Sequence, residues 1–540
     1  MKEKTKTSLN NKTKKKKSFF EKMPRLPLMI ILFLLLWAFN YFVYADVYYM
    51  CQQHSYFAFD KTLMQNIIAM WDAPFILVGR FLLLSCHYKI FGTLLLTVFM
   101  WFIAYLVDYC FNLKGYWKWV AYIAPFTLIA FYVSWGMNIY YAREASKIFY
   151  IPVTGVIVFL IAAIIIRIIT KRKFTNPLLL ANDSAKSQWL QLAIMLIMFI
   201  GITFYQNRFS HEAKNVSTLQ CLMEEEEWHD MADYVKENIE YPTRAEAAYY
   251  ALALEMTDRI DTELFNINYT YPESNTKGRG DYKDASTDLY VTDCNFFTGL
   301  VNSSYHWCIE NSVLDGITVN KLKRLVMCCL INNEMQLAKK FLYILDEVPC
   351  ERDFVQKYVP MLNNYKMVCE DPMLSKVMEI LPLDNVFEQR FTQPMFVGYY
   401  NKLKNGRCYR ALYNSMAACF YTKDVEAFVK RMPTFMNSQM PQNYQEAITI
   451  AYLDNLEQLK EYRFINPYYL TILKNFIHEV FDKKEDFNVK EKAKECEEAY
   501  KGTYEYYFYL QNMPEDAYNK QNIEKAKEKE KENHNKGGVN

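Results

Sequence analysis

The sequence predicts an all-α protein, a bundle of about five transmembrane helices followed by a soluble, degenerate helical-repeat domain. Three observations carry this. Five apolar stretches each approach the ~20 residues needed to cross ~30 Å of hydrocarbon, and all lie before Tyr205. From Phe209 onward, apolar residues recur at three- and four-residue spacing, with no competing strand alternation. Charge follows the same division, with 22 Lys/Arg and 8 Asp/Glu up to Tyr205 and 40 and 52 after it. The length of 540 residues, with 52% hydrophobic content, excludes a disordered chain and a single small domain. A net acidic second half without a basic stripe excludes nucleic acid as a partner, because phosphate binding needs clustered Lys and Arg.

Residues 1–26 read as a basic cytoplasmic tail that includes Lys14, Lys15, Lys16 and Lys17. Positive charge flanking a first span holds that end inside. Residues 27–205 form the transmembrane domain, with spans near 28–49, 90–110, 119–136, 148–169 and 188–205. The first has a long, bulky apolar core with no small-residue cleavage site after it, so it reads as an uncleaved anchor. Ala73 to Cys86 is apolar but short, and only His87, Tyr88 and Lys89 separate it from the next span. That stretch fits an interfacial or re-entrant segment with Arg80 reaching the headgroups. Lys114, Lys118, Lys171, Arg172, Lys173 and Lys186 fall in the loops assigned inside. Asp46, Asp60, Lys61, Asp72, Arg143, Glu144 and Lys147 fall outside, which places everything after Tyr205 on the non-cytoplasmic side.

Residues 206–512 form an extracytoplasmic α-helical domain, and 513–540 a charged flexible tail. In Thr218 to Asn238, Trp228, Met231, Ala232 and Val235 share one helix face. In Arg244 to Ile260, Ala247, Ala248, Ala251, Leu252 and Met256 do the same. A bulky helix followed by an Ala-rich one suits paired-helix packing and resembles tetratricopeptide domains, though the period is irregular. Further helices are expected at 287–311, 318–331, 334–347, 351–363, 408–420, 424–432, 442–462, 467–481 and 489–510. The polar insertion Tyr271 to Asp288 reads as a loop.

Two stretches carry a resemblance. Cys51 to Gly92, beginning CQQHSYFAFDKTLMQN, and Asp288 to Arg352, containing LYVTDCNFFTGLVNSSYHWCIENS, resemble an uncharacterised family of Bacteroidetes inner-membrane proteins. The resemblance implies a few spans, an extracytoplasmic helical-repeat domain and a bacterial inner-membrane location. It supplies no reaction. The chain departs from the family at Trp71-Asp72-Ala73-Pro74, where a Pro-Gly-Gly-like turn is usual.

Chemical motifs are sparse. There is no Gly-rich phosphate loop, G-x-S-x-G elbow or H-E-x-x-H, so no cofactor is expected. Glu225, His229 and Asp233, four apart on a continuous helix, could offer metal ligands; the alternative makes them the wet side of a helix that buries Trp228 and Met231. Ten of the 13 cysteines follow Tyr205, with no C-x-x-C among them. They read as buried thiols or as disulfides whose pairing is not assignable. Asp46, Asp60 and Asp72, with Arg80, could serve a glycosyltransferase acting on a lipid-linked sugar. The reading adopted is a scaffold contacting the lipid bilayer through its spans and envelope protein partners through its helical domain.

Overall fold

The computed structural model describes residues 25–59, 72–113, 115–140, 145–170, 184–270, 287–381, 409–432, 440–455, 457, 459, 465–481 and 489–511. Among them there are helices and turns and no strand. The chain divides into two compact units. The first comprises 1–49, 68–135 and 146–211; the second comprises 50–67, 136–145 and 212–540.

The first unit holds α1 (Arg25–Ala38), the start of α2 (Ala45–Gln53), α3 (Ala73–Leu83), α4 (Lys89–Phe111), α5 (Val120–Trp135), α6 (Lys147–Thr170) and α7 (Ala185–Phe209). Five segments are long and apolar enough to cross a membrane: Leu26–Val43, Lys89–Phe111, Gly115–Ile139, Lys147–Thr170 and Lys186–Phe209. These agree with the five expected spans in number; the first ends at Val43, where a π-helical turn closes it, and not near 49. The helix containing α3 is apolar but shorter, running through a 3-10 turn to His87. α4 is central, packing on α1, α5 and α6, while α3 lies against α6 and α7 against α5. Gly79 lets α3 approach α6 closely, since a Cβ there would collide with the Ser146 carbonyl.

Several polar groups inside this unit are matched to one another, as an apolar medium favours. Pro152 has no N–H for the Ile148 carbonyl one turn back, and the Tyr132 hydroxyl donates to that carbonyl at 2.8 Å instead. α1 runs into a π-helical turn, Phe39–Val43, which buries Asn40. The Asn40 amide donates to Thr97 Oγ1 at 2.9 Å and accepts from the Tyr48 hydroxyl at 2.9 Å. The Tyr122 hydroxyl donates to Gln191 at 2.9 Å, linking α5 to α7.

The second unit contains α8 (His211–Glu224), α9 (Trp228–Asn238), α10 (Arg244–Met256), α11 (Ile260–Glu263), α12 (Thr287–Phe297), α13 (Val301–Asp315), α14 (Val319–Ile331) and α15 (Met335–Asp346). It continues with α16 (Arg352–Tyr358), α17 (Tyr365–Glu370), α18 (Pro372–Glu379), α19 (Tyr409–Tyr421), α20 (Val425–Arg431), α21 (Gln442–Ala451), α22 (Pro467–Phe481), α23 (Val489–Tyr500) and α24 (Tyr504–Leu510). Four helices expected to be continuous are broken at a residue of positive φ. Residues 218–238 divide at Glu226, 244–260 at Asp258, 287–311 at Gly299 and 489–510 at Gly502.

One turn recurs through this unit. After α8, α10, α12, α14 and α19, a single left-handed residue reverses the chain: Glu226, Asp258, Gly299, Asn333 or Lys423. In every case the next amide bonds the carbonyl five residues back. These bonds are Glu227 to Leu222, Arg259 to Leu254, Leu300 to Asn295, Glu334 to Cys329 and Asp424 to Cys419, at 2.8–2.9 Å. The left-handed residue itself bonds three back, which completes a Schellman closure that satisfies the final carbonyls of each helix. Of the five starts that follow, Asp424 caps α20 through its side chain, and elsewhere in the unit threonine caps α10, α14 and α24, with a reciprocal capping box of Thr243 and Glu246 on α10. At Gly299 a side chain would strike the Ile380 backbone as well as strain φ.

The aromatic richness of the sequence goes into the interior. Tyr249, Tyr250, Tyr269, Tyr358, Tyr421 and Tyr444 are among the largest fully buried side chains. Phe265, Phe420, Tyr444, Tyr504 and Tyr507 interlock edge and face with centroids 4.7–6.3 Å apart. α22, α23 and α24 add a smaller core of Phe476, Val480, Val489, Cys496, Tyr506 and Leu510.

Candidate functional site

A buried polar construction lies at the end of α2. The last residues of α2 and the strap after it bury Gln52, Gln53, His54 and Ser55, an unusual fate for polar residues. Gln53 donates to Glu351 at 2.9 Å and accepts from Lys323 at 2.8 Å. Lys323 also pairs with Glu351 at 2.8 Å, closing a three-membered ring of hydrogen bonds. The Ser55 carbonyl accepts from the Val319 amide, so the strap caps the start of α14. Burial, reinforced by nearby Lys321, depresses the His54 imidazole to about 3. It is therefore neutral at physiological pH.

A relay of buried groups continues inward. Gln220 donates to the Tyr249 hydroxyl at 2.9 Å, Tyr249 donates to Asp293 at 2.8 Å, and Arg324 donates to the same carboxylate at 2.7 Å. Arg324 and Asp293 are each nearly inaccessible. The guanidinium lies over the rings of Phe296 and Phe297 at 4.3 and 4.8 Å, which supply its remaining electrostatic company. Burial, then the Asp293 charge, pushes the Tyr249 phenol far up. Burial likewise pushes the Cys308 thiol to about 12, which makes it a packing residue and not a nucleophile.

Two further buried acids lie elsewhere in the unit. Glu255 accepts from Asn414 at 2.8 Å and is held up at about 8 by desolvation. Glu446 accepts from Gln442 at 2.6 Å and from the Tyr504 amide at 2.7 Å. Its carboxyl adjoins that of Glu505, which burial first and Glu446 second raise to about 9. The pair therefore retains a proton at neutral pH.

The residues singled out by sequence are dispersed. Asp46 pairs with Lys89 at 2.8 Å, and Lys89 lies 5.6 Å from the Tyr49 ring centroid. Asp72 stands at the start of α3 without capping it through its side chain, and Arg80 lies on the last turn of the same helix. Asp60, Arg143 and Glu144 lie outside the described residues. Glu225 is not on the helix of His229 and Asp233, because the chain reverses at Glu226 between α8 and α9. His229 and Asp233 both meet Arg259, at 3.2 and 3.3 Å, and Arg259 forks onto Glu263. Among the described residues no group of three or more His, Cys, Asp and Glu is placed to hold a metal. The twelve described cysteines are free, and all but Cys350 and Cys369 are buried.

The strap and the relay escaped the sequence reading because their members are remote. Gln53 and Glu351 are 298 residues apart, and no periodicity links them. The one available signal was the polar run Gln52, Gln53, His54 between apolar residues just beyond a span.

These features define a helical protein with five helices long and apolar enough to cross a membrane, whose most deeply buried acids and bases pair with one another. The chain belongs to a family of unknown function (DUF6057), whose model matches residues 140–511. No curated protein and no solved structure matches it.

Proposed function

We propose that the protein is a membrane-anchored interaction scaffold, with five spans in a bacterial inner membrane and a periplasmic helical unit that docks other envelope proteins. The observation that carries this reading is the five-fold recurrence of one helix–turn–helix closure. Successive helical hairpins stack into tetratricopeptide-like arrays, and arrays expose extended surfaces suited to peptides and helices. The pairing of the buried Arg324 with Asp293, Lys323 with Glu351 and Glu446 with Glu505 supports binding over catalysis.

The segments following the first, third and fifth spans contribute to one compact unit. Alternating crossings put those segments on a common side, and the Lys-rich alternate loops favour the cytoplasm for the other. Alkaline phosphatase fused after Phe209 is expected to be active, which requires export; activity confined to a cytoplasmic reporter there overturns the orientation. Photo-crosslinking from the helical unit in intact cells is expected to capture envelope proteins. A loss of function from Asp46→Asn or Asp60→Asn at normal abundance would instead point to catalysis in the first outside loop.

A further inference from the structure

The short helix α3 is apolar on every side. Ala73, Ile76, Gly79 and Leu83 are buried, while Phe75, Val78 and Phe81 are 42%, 42% and 50% exposed. Arg80, half-buried, is its one charge. A helix that is hydrophobic all round belongs inside a protein core or a bilayer. Half of this one lies outside the core.

Contacts within the first unit fix the direction in which α3 runs. The Phe75 ring lies 6.1 Å from that of Tyr150, and Gly79 meets the Ser146 backbone, so α3 and α6 are antiparallel. α4 and α6 are parallel, since Phe99 meets Phe149, Ile103 lies against Gly155 and the Cys110 thiol donates to the Phe159 carbonyl. Lys89, at the start of α4, pairs with Asp46 just past the end of the first span. The starts of α4 and α6 therefore share the side on which the first span ends. Tyr150 is the fourth residue of α6, and Phe99, level with Phe149, is about 15 Å along α4 from Lys89. Phe75 thus lies inside the level at which both helices begin, with Phe81 nearer to that level. The ends of α3 suit such a position. Pro74 has no amide N–H to leave unpaired in the first turn, and the Ser85 hydroxyl donates to the Leu82 carbonyl just past the last.

We propose that α3 is a half-length helix embedded in the leaflet where the first span emerges, with Phe75, Val78 and Phe81 against phospholipid acyl chains. This rests on the five-span reading and selects the re-entrant position for α3 over the interfacial one. Its 11 residues rise about 16 Å, half of the ~30 Å of hydrocarbon. The spans carry the same apolar exposure, at Ile90 and Phe91 on α4 and at Ile157 and Val158 on α6. Arg80, in the last turn, is close enough to the headgroups for its side chain to extend to them.

The test uses the full chain reconstituted in vesicles of phosphatidylethanolamine and phosphatidylglycerol. p-Acetylphenylalanine replaces Phe75, Val78, Phe81 or Ile157 in turn and is coupled to a hydroxylamine nitroxide, a chemistry blind to the 13 cysteines. Collisions with oxygen, which concentrates in hydrocarbon, and with a nickel chelate, which stays in water, report the depth of each label. Positions 75 and 81 differ by about 9 Å along the helix, so the oxygen-to-nickel ratio is expected to be at least about twofold higher at 75, and above that of free nitroxide at both. Equal ratios at 75 and 81 would mean a helix lying in the plane of the interface. Low collision rates with both reagents at 75 and 78 would mean a covering protein, and free-label ratios there a wet face. Each of these overturns the proposal. Position 157 separates it from the reading beneath it: a high ratio there leaves the spans in place and removes only the embedded helix, whereas a free-label ratio at 157 overturns both. The three α3 side chains face outward, so the labels leave folding intact; Val78 replaces either end should that variant accumulate poorly.

Discussion

At the scale of single residues, burial determines what each charged group can do. Arg324 and Asp293 are desolvated together, so removing one leaves an uncompensated charge in the interior. Arg324→Met is expected to lower the stability of the full chain by about 3–5 kcal/mol in thermal unfolding. Adding Asp293→Asn should recover a large part of that loss, and a double variant as unstable as the single one would show the pair to be uncoupled. Trp228, 8% exposed and edge-on to Phe297 at 5.0 Å, bears the same kind of test. Trp228→Ala should cost about 3 kcal/mol or more. The burial of Trp228, Met231 and Val235 was legible, because a helix face declares itself at three- and four-residue spacing. The partners of Arg324 were not, because nothing local distinguishes a buried arginine from an exposed one. The placement of Glu225 failed for a local reason: the four consecutive glutamates Glu224 to Glu227 concealed a chain reversal.

At the scale of elements, the recurring closure explains why the repeat was only partly readable. The backbone geometry is constant across five turns, yet the left-handed position holds Glu, Asp, Gly, Asn and Lys. Hydrogen bonding fixes the turn, and the side chain at its centre is unconstrained apart from the strain of positive φ. Left-handed backbone costs an ordinary residue about 1 kcal/mol or more relative to glycine, offset in part by the greater chain entropy of glycine. Glu226→Gly is accordingly expected to raise stability by about 0.5 kcal/mol, since its exposed ion pair with Lys357 contributes little. An unchanged or lower melting temperature would count against the strain argument.

α21 and α24 meet through Glu446 and Glu505, with Gln442, Thr503 and Tyr469 facing the pair. Glu505 is raised in the folded state from about 4.5 to about 9. Its contribution is complete below the unfolded value and is lost as pH rises through 9. Glu505→Gln keeps the neutral form, so its melting temperature should converge with that of the native chain near pH 5 and exceed it near pH 9. Parallel pH profiles for the two proteins would exclude a shared proton.

At the scale of the molecule, the number of apolar spans was expressed in the sequence, because length and hydropathy specify it, whereas their limits were not, the first ending at Val43 and not near 49. The composition of the second unit was not. It takes in 50–67 after the first span and 136–145 from the end of the third span onward, a consequence of long-range pairing that leaves no periodic trace. A fragment beginning at His211 lacks Gln53, His54 and Ser55, and should aggregate or melt without cooperativity. Co-expression with residues 1–210 should restore a soluble or membrane-bound complex, and a fragment that melts sharply by itself would show the strap to be dispensable. The order of synthesis adds a further consequence. Glu351 leaves the ribosome 298 residues after Gln53, an interval of roughly 15–60 s at ordinary elongation rates. Throughout that time the strap has been translated but its receptor has not, so the helical unit must finish folding around a segment delivered long before it.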